Sequence, residues 1–247
     1  MDSNFWIGQA ILVGTFALVA YLAGRMVETN GVKVNYTRKI NFFAIFLMPL
    51  LLAWMFPYEK SFWKIALRSL IAAGMLIVLL GPVRTRVPMF ATMFRSFDRP
   101  EDRPHTLLWL STQIIVGNLV LVPMSWLFAG RGMSELMFVP VLIHGIGDGL
   151  AEPVGIRWGR HRYTTRAFLS RDRRFTRSYE GSACVLITGL LAIALFHGSF
   201  TTAQLIIALL TVPLIMTLAE AWSPHTWDTP YMFLAGTASI FAVKALV

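Results

Sequence analysis

Residues 5–24 read FWIGQAILVGTFALVAYLAG, a run of 20 residues without a charged side chain. A helix needs about 20 apolar residues to cross the hydrocarbon core of a bilayer. The preceding residues, MDSN, carry no basic cluster, and no small-residue cleavage site follows the run. We therefore expect this run to form a retained membrane-spanning helix rather than a secretory signal peptide.

Apolar runs of similar length recur along the whole chain. Together with the first, they cover residues 5–24, 40–57, 62–82, 106–129, 133–152, 182–199, 202–221 and 230–247. The second and the last are short or interrupted, so we expect eight spans, with seven as the alternative. The mean hydropathy is +0.61 and 14% of the residues are charged, whereas a soluble domain has about 25%. The sequence predicts an all-α polytopic membrane protein, with residues 1–247 forming one integral membrane domain.

The basic residues indicate the orientation of these helices. Four Lys or Arg residues lie between the first and second spans, five between the third and fourth, and eight between the fifth and sixth. Short loops rich in Lys and Arg stay on the cytoplasmic side. An eight-helix path places all three loops there and both termini on the non-cytoplasmic side. This topology and attraction to anionic lipid headgroups account for the net charge of +9, so we expect no nucleic-acid partner.

Acidic side chains near the end of the fifth span are the first candidates for a functional site. Asp148 and Glu152 are four residues apart, and His144 lies four residues before Asp148, so all three share one helical face. Ionisable groups at membrane depth are costly and usually line a polar cavity. The alternative is structural: the two acids could pair with nearby arginines and cap the helix, and His144 could be a hydrogen-bonded core residue.

Glycines and cationic residues follow these acids directly. Gly155 and Gly159 are four residues apart, and Arg157, Arg160 and His161 lie around them. Glycine lets a backbone approach a ligand closely, arginine binds phosphate oxygens, and Mg²⁺ prefers a few carboxylates together with substrate phosphates. The combination favours a site for a metal-bound nucleotide. A G-x-x-x-G pair alone more often indicates helix packing in a membrane.

Two further clusters fall on the predicted cytoplasmic side. The segment RSYEGS, residues 177–182, opens the sixth span, where backbone N–H groups could receive a phosphate. Its alternative role is a helix N-cap made by Ser178 and Glu180. The segment AEAWSPHTWDTP, residues 219–230, carries Glu220 and Asp228 between the last two spans. Those two acids could complete a metal site with the first pair.

Three motifs connect these clusters to a known family. They are D-x-x-A-x-x-x-G-x-x-x-G-R from Asp148 to Arg160, RSYEGSA, and E-A-x-S-P-x-x-x-D from Glu220 to Asp228. Together they resemble the dolichol kinase and phytol kinase family, polytopic membrane enzymes that transfer a phosphoryl group from CTP, or another nucleotide, to a long-chain isoprenoid alcohol. The matching motifs lie within residues 144–230, and Arg38 and Lys39 resemble the R-K pair that precedes the second helix in these kinases.

The chain also departs from the family pattern. Phe42 stands where the family often has a histidine, Thr229 stands where its last motif has an asparagine, and the basic loop is expanded by FLSRDRRF, residues 168–175. The length and short N-terminus resemble the phytol kinase branch. A CTP-dependent diacylglycerol kinase is similar, and phosphatidate cytidylyltransferase shares the first two motifs.

The resemblance implies a role for each candidate residue. Asp148 or Glu180 could be the base, and the alternative is an unassisted hydroxyl that the metal orients. Contacts to the nucleotide would come from Arg38, Lys39, Gly155, Arg157, Gly159, Arg160, His161, Arg177, Ser178, Gly181 and Ser182. The metal ligands would come from Asp148, Glu152, Glu220 and Asp228. The implied cofactor is Mg²⁺, and the implied partners are CTP, membrane lipid and an isoprenoid alcohol such as phytol, farnesol, geranylgeraniol or polyprenol.

Two other functions remain open from the sequence. A CTP-dependent nucleotidyltransferase would use similar residues to make a CDP-lipid, although the C-terminal signature of the cytidylyltransferases is absent from this chain. An ion-coupled transporter would use its intramembrane acids for ions, but the eight arginines of the third basic loop have no evident purpose in a transporter. The sequence carries no evident transit peptide, so we expect the inner membrane of a prokaryotic cell.

Overall fold

The chain is predominantly helical, as the sequence predicts. A computed structural model describes residues 2–59, 61–167, 170–225 and 227–246. Within these ranges the α-helices are α1 (Ser3–Asn30), α2 (Val34–Met55), α3 (Phe62–Gly74), α4 (Gly81–Arg84), α5 (Pro88–Arg95), α6 (Thr106–Gly130), α7 (Phe138–Leu142), α8 (Gly149–Trp158), α9 (Tyr179–Leu195), α10 (Thr202–Trp222) and α11 (Asp228–Leu246). Short 3₁₀ segments cover Met75–Leu79, Pro100–Asp102, Ser134–Met137 and His197–Ser199, and Ile143–Asp148 is a π-helix.

Six helical segments are long and apolar enough to cross a membrane. In the part of the chain that the structure describes, they are Ser3–Asn30, Val34–Met55, Phe62–Leu79, Thr106–Gly130, Thr202–Trp222 and Asp228–Leu246. Each coincides with one of the eight predicted spans. These helices indicate an integral membrane protein.

The other two predicted spans are helical but differ in form. The helix α9 is apolar and has 17 residues, which is at the lower limit for a span. The predicted span 133–152 belongs to a continuous run of helical segments from Ser134 to Trp158. Along this run the helix type changes from 3₁₀ to α, then to π, and back to α. Pro140 and Pro153 flank the π segment, and each removes one helical N–H donor. The count of eight and the orientation of the termini remain predictions.

The chain divides into two compact units, which we describe separately. Unit 1 is Met1–Ser111 and unit 2 is Thr112–Val247. In unit 1, α1 packs against α2 and α5, and Ala20, Met93 and Phe94 are buried in its core. In unit 2, consecutive elements pack in chain order from α8 to α11 around a larger apolar core. The expectation of a single domain stays a prediction.

The basic loop after α8 forms a β-hairpin, which the sequence analysis did not predict. Strand β1 (Arg162–Ala167) pairs with β2 (Ser170–Ser178) in an antiparallel ladder. Alternate residues of a strand point to opposite faces, so Thr165 is buried while Thr164 and Arg166 are exposed. Residues 168 and 169, which begin the FLSRDRRF expansion, lie outside the described residues. The hairpin therefore has one face toward the protein and one toward solvent.

Candidate active site

The glycines of the first motif lie at a close contact between α8 and the start of α9. A Cβ atom added to Gly155 would lie 2.8 Å from Ser178 Oγ, and one added to Gly159 would lie 2.8 Å from Ser178 Cβ. A Cβ atom on Gly181 would lie 2.6 Å from the carbonyl oxygen of Ala151. These glycines are therefore required for helix packing, which is the alternative role that the sequence left open. Their presence is explained without contact to a nucleotide.

The start of α9 is capped as the alternative reading of RSYEGS predicted for Ser178. Ser178 Oγ accepts a hydrogen bond from the backbone N–H of Gly181 at 3.1 Å. The carboxylate of Glu180 accepts from the backbone N–H groups of Arg160 and His161 at 3.1 and 3.2 Å, and lies 2.8 Å from His161 Nδ1. Glu180 precedes the apolar part of α9. Its side chain therefore ties the end of α8 to α9.

These contacts change the acidity of Glu180. Hydrogen bonds from its own backbone N–H and from His161 lower the pKa of Glu180 to about 2. A carboxylate with such a low pKa is a weak proton acceptor at neutral pH, because a general base works best when its pKa is near the working pH. The geometry thus favours a structural role for Glu180, which the resemblance had offered as a possible base.

A buried network of hydrogen bonds lies between the hairpin and the end of α10. Glu220 is 4% exposed, and Arg177 Nη1 donates to both its Oε1 and its backbone carbonyl. Ser182 Oγ donates to Glu220 Oε2 at 2.9 Å, and the hydroxyl of Tyr163 lies 2.7 Å from Ser182 Oγ. Ser223 Oγ donates to the Glu220 carbonyl at 2.9 Å. Four residues, from β1, β2, α9 and the loop after α10, are therefore linked to Glu220.

The guanidinium of Arg177 contacts Glu220 directly and is also affected by the charges of Asp228 and Asp148. Burial alone would lower the pKa of Arg177, but the negative charges of Glu220, Asp228 and Asp148 outweigh it, and the pKa is raised above its ordinary value. The negative charges of three of the four predicted acids thus act on one cation. Glu152, the fourth, lies half-buried on the next turn of α8.

The hydroxyl of Tyr163 is affected by the same network. Burial and, next, the charge of Glu220 raise the pKa of Tyr163 above its ordinary value. The phenol therefore stays protonated at neutral pH and remains able to donate a hydrogen bond. This residue lies on β1 and was not among the predicted site residues.

Asp148 lies at the end of the π segment and is 4% exposed. His144 Nδ1 is 3.7 Å from Asp148 Oδ2, which confirms that the two residues share a face. His144 Nε2 lies 2.9 Å from Thr229 Oγ1, and Nδ1 lies 3.2 Å from Met232 Sδ. Isolated π turns occur frequently at functional sites. The imidazole joins the acid of the broken helix to the first turns of α11.

Asp228 is held at the start of α11. Its Oδ1 accepts hydrogen bonds from Gln113 Nε2 at 2.9 Å and from the backbone N–H of Thr229 at 3.1 Å. Gln113 Nε2 also donates to Thr229 Oγ1 at 2.6 Å. Gln113 was not among the predicted site residues, and nothing in its spacing pointed to Asp228.

The fit of Mg²⁺ can be judged from these donors. Among the described residues, no group of three or more His, Cys, Asp and Glu side chains has the arrangement of a metal site. The oxygens of Glu220 are engaged by Arg177 and Ser182. Asp148 and Asp228 offer carboxylates near the same cation. This set fits a metal that is bound by one or two carboxylates and by the phosphates of its substrate.

Exposed cations lie at the end of α8 and directly before the hairpin. Arg157 and Arg160 are exposed, as is the side chain of His161. The guanidinium of Arg157 lies 5.7 Å from the ring centre of Trp158. Long exposed arginines can adjust to a polyanion without breaking buried contacts. These residues are therefore available to phosphate groups.

The hairpin is also attached to the loop that leads to Asp228. The backbone N–H of His225 donates to the carbonyl of Arg166 at 2.8 Å. The rings of Phe175 and His225 stack with their centres 3.6 Å apart and their planes 6° apart. The expanded basic segment therefore contacts the third motif, a connection that the sequence did not reveal.

Arg38 and Lys39 belong to unit 1, and the other predicted residues belong to unit 2. Lys39 is 5% exposed, and its ammonium lies 4.7 Å from the ring centre of Phe42. Phe42 stands where the family often has a histidine. The substitution thus places an aromatic face against the lysine. A role of this pair toward the nucleotide stays a prediction.

Comparison with known proteins gives one relevant similarity. A phytol kinase of Synechocystis sp. is 27% identical over 215 residues, which cover 84% of this chain and 79% of that protein. No protein-family model matches the chain, and no solved structure matches it. The similarity extends over most of both chains, well beyond the motifs.

Proposed function

We propose that this protein is a lipid alcohol kinase that transfers the γ-phosphoryl group of CTP to a long-chain isoprenoid alcohol at the cytoplasmic surface of the membrane. The observation that carries the proposal is the buried ion pair of Arg177 with Glu220, on which the charges of Asp148 and Asp228 also act. The similarity to a phytol kinase supports the reaction class. The six apolar helices support a substrate that is drawn from the bilayer.

In this proposal, exposed arginines bind the nucleotide. Phosphoryl transfer depends mainly on positioning and on neutralising charge. Arg157 and Arg160 are exposed at the end of the first motif, so their guanidinium groups can hold the triphosphate. Arg177 is fixed by Glu220 and serves as the buried positive charge at the base of the site.

Asp148 and Asp228 are the residues that would hold Mg²⁺. When bound, the metal would neutralise charge on the phosphates. The hydrogen bonds from Gln113 and Thr229 fix the orientation of Asp228. Glu220 belongs to the ion pair with Arg177 and is left out of the proposed ligand set.

Asp148 is the proposed proton acceptor. The hydroxyl of the alcohol gives its proton to Asp148, its oxygen forms a bond to the γ-phosphorus, and the bond between that phosphorus and the β-γ bridging oxygen breaks, leaving the nucleoside diphosphate. Glu180 is less suited to this role, because its pKa is about 2 and it is paired with His161. His144 is close enough to Asp148 to orient it.

The acceptor tail would lie among the lipid-facing apolar side chains. Large hydrophobic residues are exposed on the helices of unit 2, among them Leu119, Leu191, Leu210 and Leu234. Such a surface suits a branched hydrocarbon and contains little to distinguish one tail length from another. We therefore propose the class of isoprenoid alcohols, with phytol, farnesol, geranylgeraniol and polyprenol as the substrates to compare.

The test is a product assay on the purified protein in lipid nanodiscs. CTP labelled at either the α- or the γ-phosphate is supplied with Mg²⁺ and, separately, with prenyl alcohols, diacylglycerol or phosphatidate. We expect γ-label in the lipid fraction with a prenyl alcohol. Label from the α-phosphate in lipid would replace the kinase by a CDP-lipid synthase. No lipid label with any nucleotide would overturn the proposal and favour a transporter.

A further inference from the structure

Both strands of the hairpin reach the carboxylate of Glu220. Tyr163 on β1 and Arg177 on β2 are direct partners in the ladder, so their side chains project from the same face. Arg177 binds Oε1 directly. Tyr163 reaches Oε2 through the hydroxyl of Ser182. Each oxygen of this carboxylate is therefore linked to a different strand, Oε1 directly to β2 and Oε2 to β1 through Ser182.

The directions of these hydrogen bonds follow from the groups involved. A carboxylate that is paired with an arginine can only accept. Ser182 therefore donates its single hydroxyl hydrogen to Glu220 Oε2. The hydroxyl of Ser182 must then accept from Tyr163, at 2.7 Å. The result is an ordered donor chain from Tyr163 to Ser182 to Glu220, in which each bond polarises the next.

We propose that Tyr163 is a positioning residue of the active site, which fixes the hydroxyl of Ser182 and thereby the orientation of the Glu220 carboxylate that holds Arg177. This inference rests on the proposed kinase function. Tyr163 acts on the cation indirectly, through two intervening groups, and makes no contact with the substrates.

The proposed role has a definite kinetic consequence. Without the phenol hydroxyl, Ser182 can rotate and Glu220 loses one of its two constraints, so Arg177 is held less rigidly. The exposed Arg157 and Arg160 that bind the nucleotide are unaffected. The loss therefore falls on kcat, with the KM values for nucleotide and alcohol nearly unchanged.

The experiment is a double-mutant cycle in the phosphoryl-transfer assay, with Tyr163→Phe, Ser182→Ala and the combined variant. We expect Tyr163→Phe to lower kcat about five- to tenfold, the size of one lost hydrogen bond. Because Tyr163 acts through Ser182, the combined variant should be no slower than Ser182→Ala alone. Additive losses in the combined variant, or a rise in the KM for the nucleotide alone, would overturn the inference.

Tyr179→Phe is the matched control. The ring of Tyr179 packs against Tyr163 with the ring centres 5.2 Å apart, and this residue is 64% exposed. We expect it to keep the wild-type kcat, and thermal unfolding of each variant checks the fold. An active wild type with an equally active Tyr163→Phe variant would refute the positioning role alone. A wild type that transfers no phosphoryl group would refute the kinase function and this inference with it.

Discussion

His144 Nε2 lies 2.9 Å from Thr229 Oγ1, joining the π segment to the first turn of α11. The same hydroxyl accepts a hydrogen bond from Gln113 at 2.6 Å. Three helical segments therefore meet at one threonine, at the position where the last motif of the dolichol and phytol kinases has an asparagine. Asp148 and Asp228 lie next to this junction, so its geometry controls the spacing of the two proposed metal ligands.

Replacing Thr229 by valine should therefore weaken the protein. Valine keeps the shape but removes the hydroxyl that Gln113 and His144 both contact, which costs about 1–3 kcal/mol of unfolding free energy. Thermal unfolding in detergent measures the loss. Thr237→Val is the control, because Thr237 is equally buried on α11 and bonds only to carbonyls of its own helix, those of Phe233 and Leu234. An equal loss in both variants would argue against a special role of the junction.

Replacing Asp148 by asparagine should abolish turnover while the protein still folds. A general base contributes about a hundredfold or more to the rate, and the same change removes a proposed metal ligand. The measurement is γ-label transfer, with melting temperature as the fold check. Glu152→Gln is the matched control, since Glu152 lies one turn further along and is half-buried. Full activity of Asp148→Asn would remove this residue from the mechanism.

The sequence predicted the class of fold and the acids of the site, but it did not predict how they are held. Hydropathy alone placed Asp148, Glu220 and Asp228 near helix ends. The hairpin was missed because a segment with eight arginines has the composition of a charged loop, while its strand signal is short. Tyr163 lies inside that segment, so its contact with Ser182 could not be inferred. Two glycines spaced four residues apart fit both helix packing and close approach of a ligand. Only the structure distinguishes these two roles.

Replacing Gly181 by alanine tests the packing role of the glycines. The added Cβ atom would lie 2.6 Å from the backbone carbonyl of Ala151, so α8 and α9 must move apart. We expect a loss of about 1–3 kcal/mol in unfolding free energy. Gly14→Ala in α1 is the control, because a Cβ atom there meets nothing within 4 Å. A raised KM for the nucleotide with unchanged stability would instead assign Gly181 to ligand binding.

Replacing Arg177 by glutamine should destabilise the protein strongly. The side chains of Arg177 and Glu220 are 11% and 5% exposed, and removing one partner of a buried ion pair costs about 3–5 kcal/mol. The cost arises because Glu220, Asp228 and Asp148 lose their shared cation. Arg174→Gln, an exposed arginine on the same strand, should change the melting temperature little. Adding Glu220→Gln to Arg177→Gln should recover part of the loss, and no recovery would contradict this account.

The hydrogen bonds of Glu180 predict a pH dependence of stability. The pKa of Glu180 in the folded protein is about 2, below its ordinary value of 4.5. The unfolded chain therefore binds this proton first, so the stabilisation is fully present above pH 4.5 and is lost as the pH falls toward 2. Unfolding measured across that window should show a smaller decline in Glu180→Gln than in the wild type. Glu135→Gln, at an exposed glutamate, should keep the wild-type decline, and identical profiles for all three proteins would show that the contacts of Glu180 contribute nothing.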